Sequence, residues 1–176
     1  MTQPDHFARL GLPRRFALDL RELERLYLAR SRDLHPDFHQ LGSSTEQSAS
    51  LDLSARLNEA YSVLRDPFQR ANYLLGLEGG PTAAEQKEMP AAFLEEMLEL
   101  RMEIEELRET EPADSPARQA MERRLTERRD RLMTDVGVEF EKLSVAGDRS
   151  AVLRGIRQRL NALKYVRNLI RDLQSV

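Results

Sequence analysis

The stretch DLRELERLYLARSRDLHPD, residues 19–37, decides how this chain is read. Leu20, Leu23, Tyr27, Ser31 and Leu34 recur at spacings of three and four, which predicts a helix with one buried stripe. Asp19 followed by Glu22 is a capping-box pattern for its first turn. Arg21, Arg25 and Arg32 fall on one face of that helix, with Arg30 to one side. Pro36 ends it, because the residue before a proline is pushed out of the α region. His35, Pro36 and Asp37 are therefore expected on an exposed bend at the end of a basic helix. A charge run on a helix is ordinarily just a solvated face. Ending on that bend, this one becomes a candidate docking surface for an acidic partner, with Arg14 and Arg15 as extensions.

The neighbouring segments continue the helical pattern. A short helix around Phe7 to Leu10 precedes the turn signal Gly11-Leu12-Pro13. After the polar loop through Gly42, Ser43 and Ser44, a second capping-box pair, Ser44 and Gln47, opens a helix to about Leu64. Its residues Leu53, Leu57, Tyr61 and Leu64 share a face that the preceding stripe can meet, which predicts an antiparallel helical hairpin. Asp66-Pro67 starts a further short helix ending near Leu75. Gly76, Gly79, Gly80 and Pro81 then mark a boundary. The expected division is a first domain over 1–76, a linker over 77–89 and a second domain over 90–176. In the second, helices are expected at about Ala91–Glu109, Pro116–Leu143 and Ser150–Ser175, with Gly137 a point where the middle one bends. Short connections imply antiparallel neighbours, hence a three-helix bundle. The fold class is all-α.

Composition agrees and narrows the function. Of 176 residues, 32% are charged and 6% aromatic, with no Trp, which favours long helices with solvated faces over strands. The net charge of −3 hides local clusters of arginine and glutamate, suited to protein partners rather than to nucleic acid. With no cysteine, disulfides, thiolate metal sites and a cysteine nucleophile are excluded within the chain. The start of the chain lacks a signal-peptide pattern, and no apolar run approaches the about 18 residues of a membrane span. A cytoplasmic protein with no membrane contact is expected. His35 and His39 with Asp33 and Asp37 resemble a metal set, but Pro36 breaks the helix that such i, i+4 ligands need. No nucleophile motif or phosphate loop accompanies them, so neither an enzyme nor a cofactor is expected.

The helix over Ala91–Glu109 carries more apolar surface than a bundle needs. Phe93, Met97, Leu100, Ile104 and Leu107 form one stripe, and Leu94, Leu98 and Met102 a second beside it. Together they span roughly 220° of the helix. Glu95, Glu96, Glu99, Glu103 and Glu106 fill the remainder. In the last helix Val152, Ile156, Leu160, Leu163 and Ile170 form the expected core stripe, while Tyr165 points elsewhere. An acid-rimmed apolar strip with an off-core aromatic has the composition of a protein-binding patch. The alternative is that both stripes are buried between two neighbouring helices.

A basic helix, a His-Pro-Asp loop and an antiparallel third helix resemble the J-domain proteins. The opening HFARLGLP (6–13), LHPD (34–37), LNEAYSVLRDPFQRANYLL (57–75), AAFLEEMLELRMEIEEL (91–107) and LNALKYVRNL (160–169) together resemble the HscB family of iron–sulfur cluster co-chaperones. The resemblance covers nearly the whole chain. It implies a J-domain, with His35, Pro36 and Asp37 essential and Arg21, Arg25 and Arg32 docking it electrostatically on a DnaK-class ATPase chaperone, HscA, whose hydrolysis it stimulates. It also implies a C-terminal bundle that holds the cluster scaffold IscU through Leu94, Leu98, Glu99, Met102, Glu106 and Tyr165. The chain departs from the family pattern in Phe38 and His39 after His-Pro-Asp, in Glu95 where an apolar residue is common, and in Met102 where an acid is. It lacks the cysteine-rich module of some eukaryotic members, which points to a bacterial origin.

Overall fold

The computed structural model describes residues 4–33 and 44–175, with the side chains of residues 44–47 also outside the described set. Leu34 to His39, where the His-Pro-Asp bend is expected from the sequence, lie outside it, as does the Ser44–Gln47 capping pair. The described residues form helices and connecting turns, with no strand among them. The helices are α1 (His6–Leu10), α2 (Leu20–Asp33), α3 (Ser44–Arg65), α4 (Pro67–Leu77), α5 (Ala91–Thr110), α6 (Pro116–Lys142) and α7 (Arg149–Gln174). The chain divides into two compact units, Met1–Leu74 and Leu75–Val176.

In the first unit α1, α2 and α3 pack on one another around Phe7, Leu10, Leu23, Leu57, Ala60, Leu64 and Ala71. Asp5 caps α1 by accepting from the Ala8 amide at 2.9 Å, and Gly11 closes it at a left-handed φ of 71°. Asp19 caps α2 through the Arg21 amide, at 2.8 Å. The reciprocal half of the expected capping box is absent, because Glu22 turns to Arg25 instead. Tyr27 stacks on Tyr61 at 4.2 Å and its hydroxyl donates to Asn58 Oδ1, which fixes the antiparallel register of α2 and α3. That register carries Leu20, two turns earlier, past the end of α3, so Leu20 is exposed rather than buried as expected; Leu53 is exposed as well.

The second unit is an up-down-up bundle. Glu96 and Glu103 of α5 meet Arg128 and Arg124 of α6 in reverse order, so these helices are antiparallel. Phe93 and Arg101 meet Tyr165 and Asp172 of α7 in the same order, so α5 and α7 are parallel. Met97, Leu100, Ile104, Met121, Leu125, Val166, Leu169 and Leu173 form the shared core. The buried row of α7 runs through Leu153, Ile156, Leu160, Leu163, Val166 and Leu169, displacing the expected Val152 and Ile170 to its partly buried flank. α6 continues through Gly137 as one helix.

α5, about 30 Å long, cannot cover all of a hairpin whose arms are about 40 Å. The segment before it covers the rest. α4 ends in a Schellman closure, with Gly79 at φ 76° and the Gly80 amide donating to the Leu75 carbonyl at 2.9 Å. The chain then follows α7. The buried Arg157 donates to the Pro81 carbonyl at 2.8 Å, Asn161 to the Gln86 carbonyl at 2.7 Å, and Gln86 to the Arg154 carbonyl at 3.0 Å. Residues expected as a linker are thus fastened to the bundle, because their backbone groups find partners along α7.

Candidate interaction surfaces

Helix α2 presents Arg21, Arg25 and Arg32 to solvent. They are not equivalent. Arg25 makes a bidentate pair with Glu22, both bonds 2.7 Å, and that pair holds the Glu22 carboxyl below its ordinary range. Arg30 turns inward to the Arg9 carbonyl, where its guanidinium fills the space beside Gly11. Arg14 is bound to Asp5 at 2.7 Å. The basic face is therefore narrower than the sequence suggests, with Arg21 and Arg32 its most available cations among the described residues. His35, Pro36 and Asp37, expected at its end, lie outside the described residues.

The surface on the second unit is described completely. On α5 the first apolar stripe goes inward, with Met97, Leu100 and Ile104 buried and Phe93 and Leu107 packed at their edge. The second stripe is not covered. Leu94, Leu98 and Met102 are 41, 61 and 62% exposed, and Tyr165 of α7 is 42% exposed. The alternative in which both stripes are buried is excluded for the unit by itself.

Ion pairs flank α5 on both sides. Glu96 and Glu103 pair with Arg128 and Arg124 on one flank, and Arg101 pairs with Asp172 on the other. Arg128 also lies 5.8 Å over the Phe93 ring, which meets the Tyr165 ring in a T-shaped contact with centroids 5.7 Å apart at 81°. The bond from Arg128 holds the Glu96 carboxyl below its usual range and raises the guanidinium in turn. Glu99 and Glu106 carry no ion pair among the described residues and stand exposed beside the apolar strip. The expected Leu94, Leu98, Glu99, Met102 and Glu106 are thus exposed on one helix, and Tyr165 joins them through Phe93. Spacing along α5 alone places Phe93 wholly in the core stripe. Its contact with Tyr165 depends on the parallel register of α5 and α7, which spacing along one helix does not contain.

No described side chains cluster as His, Cys, Asp and Glu in a way that would hold a metal ion, and no described helix is long and apolar enough to cross a membrane. What the unit offers is an open, acid-edged apolar surface.

Residues 89–174 match the family described as the HSCB C-terminal oligomerisation domain. A co-chaperone protein HscB homologue from Chromobacterium violaceum is 39% identical over 122 residues, covering 69% of this chain and 67% of that protein. The chain belongs to the HscB co-chaperone family. Two solved HscB structures share its fold. HscB from Vibrio cholerae superposes with a TM-score of 0.79 at 23% identity, over 97% of this chain and 96% of that one. Human HscB superposes with a TM-score of 0.82 at 26% identity, over 99% of this chain and 82% of that one. Membership of the HscB family accounts for the all-helical architecture, a J-domain followed by a C-terminal helical domain.

Proposed function

We propose that this protein is an adaptor in iron–sulfur cluster assembly, working in the cytoplasm on two protein partners. Its J-domain docks on a DnaK-class ATPase chaperone of the HscA type through Arg21, Arg25, Arg32 and the residues His35, Pro36 and Asp37, and stimulates ATP hydrolysis. Its C-terminal domain binds the cluster scaffold IscU through Leu94, Leu98, Glu99, Met102, Glu106 and Tyr165, and so brings the client to the chaperone. Neither task requires bond-making chemistry by this chain.

The observation that carries the reading is the exposed stripe on α5. A helix already anchored by Met97, Leu100 and Ile104 leaves three large apolar side chains in water, next to a half-exposed tyrosine. Contiguous apolar surface of this kind, rimmed by charge, is where partner proteins bury area. Aromatic and aliphatic anchors at the centre of such patches carry most of the binding energy. Glu99 and Glu106, unpaired within the unit among the described residues, add charge complementarity toward a basic partner rim.

Titration of purified IscU against the protein tests this. Leu94→Ala with Leu98→Ala is expected to weaken binding by about 1–3 kcal/mol per anchor, with the helical signal and melting of the free protein unchanged. Unaltered IscU affinity in that variant would overturn the assignment of the patch.

A further inference from the structure

Tyr165 has two sides. One meets Phe93 at the apolar strip, and the other lines a separate groove between α7 and the 81–87 segment. The groove has a volume of about 330 Å³ and is bounded by Ala83, Lys87, Asn161, Lys164, Tyr165 and Asn168. It is polar, and its charged lining groups are both ammoniums. The chain contains only three lysines among its 27 basic residues, and two of them stand here.

Nothing inside the unit uses those charges. Lys87 and Lys164 are exposed, and among the described residues neither has a hydrogen-bond or ion-pair partner. Glu85, the acid nearest in sequence on the 81–87 side to have a described partner, is turned to Thr82, accepting from its amide at 2.7 Å and its hydroxyl at 2.9 Å. The walls are built independently of the lysines, by the bonds from Asn161 to the Gln86 carbonyl and from Gln86 to the Arg154 carbonyl. The groove walls are thus preformed, and its two cations border them without being neutralised by any described residue.

We propose that this groove is an extension of the scaffold-binding surface and takes an acidic segment, bearing Asp or Glu side chains, of the same partner that covers Leu94, Leu98 and Tyr165. The inference rests on the patch reading above and deepens it. Two arguments select this occupant. Charge complementarity calls for carboxylates opposite two unpaired ammoniums, whose flexible stems suit point-charge contact better than bidentate recognition. Continuity through Tyr165 puts the groove beside the strip, so one partner can bridge both. The combined surface is then bipolar, with acids along α5 and lysines on either side of the groove, Lys164 from α7 and Lys87 from the 81–87 segment. Such an arrangement fixes which way round a partner binds, since the reversed orientation sets like charges against each other.

The test compares the wild type, Lys87→Glu with Lys164→Glu, and Leu98→Ala in titrations with purified IscU at low and high salt. The lysine variant is expected to lose about tenfold in affinity at 50 mM salt, with most of the difference gone at 500 mM, where screening acts within a few ångströms. Leu98→Ala is expected to weaken binding at both. Because neither lysine supports the fold, melting curves of the lysine variant should match the wild type. Wild-type affinity and salt dependence in the lysine variant, with Leu98→Ala weakened, would overturn the groove and leave the patch standing. Weakening by the lysine variant alone would keep the groove and remove the apolar strip. An absence of any IscU binding by the wild type would overturn both.

Discussion

At the scale of single residues, the ion pair of Glu96 and Arg128 has a consequence that pH can reveal. Arg128 holds the Glu96 carboxyl below its ordinary value, so the pair stabilises the fold above the unfolded carboxyl pKa of about 4.3. That contribution is lost as pH falls through the lower folded value. Both groups remain partly in solvent, so the pair is worth only about 0.2–1 kcal/mol. Glu96→Gln is therefore expected to lower the stability by that amount at pH 7. The gap between variant and wild type should close as denaturation is repeated below pH 4. A gap that stays constant with pH would mean that Glu96 acts through packing against Arg128 rather than through charge. Arg70 illustrates the other limit. Its guanidinium is buried, lies 5.1 Å over Phe16 and has its pKa lowered by desolvation, and its neighbours must be kept for it to be tolerated.

At the scale of elements, α5 is the most revealing helix, because two apolar stripes on it have opposite fates. Leu100 is buried in the bundle core and Leu98, two residues earlier, is in water. Leu100→Ala is expected to destabilise the protein by about 2–5 kcal/mol, and Leu98→Ala by no more than about 0.5 kcal/mol, in denaturant unfolding. Equal losses would mean that both stripes are buried in solution. Helix starts and stops were legible in the sequence because capping and breaking residues act locally. Asp19, expected as a cap, accepts from an amide at the first turn of α2, and Pro67 and Pro116 stand at first helical positions; Asp5, Ser115 and Asp148 cap their helices in the same way without having been singled out by the spacing. The excess of apolar residues on α5 was legible for the same reason, since periodicity reports every face of a helix at once. Which stripe would be covered was not, because that depends on how α5 is rotated against α6 and α7. The fastening of 81–87 along α7 was equally hidden. Its bonds use backbone carbonyls, which carry no sequence signal.

At the scale of the whole molecule, each unit supplies a surface that its own packing leaves unsatisfied. The J-domain offers arginines on α2 leading to the His-Pro-Asp segment, and the C-terminal bundle offers the strip on α5 with Tyr165. The residues proposed for these surfaces draw attention in the sequence because each is incongruous there: His-Pro-Asp directly after a basic helical stretch, and leucines where a bundle helix should be polar. Lys87 and Lys164 gave no such signal, since isolated surface lysines are common and their groove exists only in the folded bundle. The central claim is that the two surfaces have separate tasks. The most direct measurement is the ATPase rate of purified HscA with saturating IscU and either wild-type protein or His35→Gln, alongside a titration of each with IscU alone. His35→Gln is expected to abolish stimulation of hydrolysis while its IscU affinity equals that of the wild type; undiminished stimulation by His35→Gln would contradict this division of tasks.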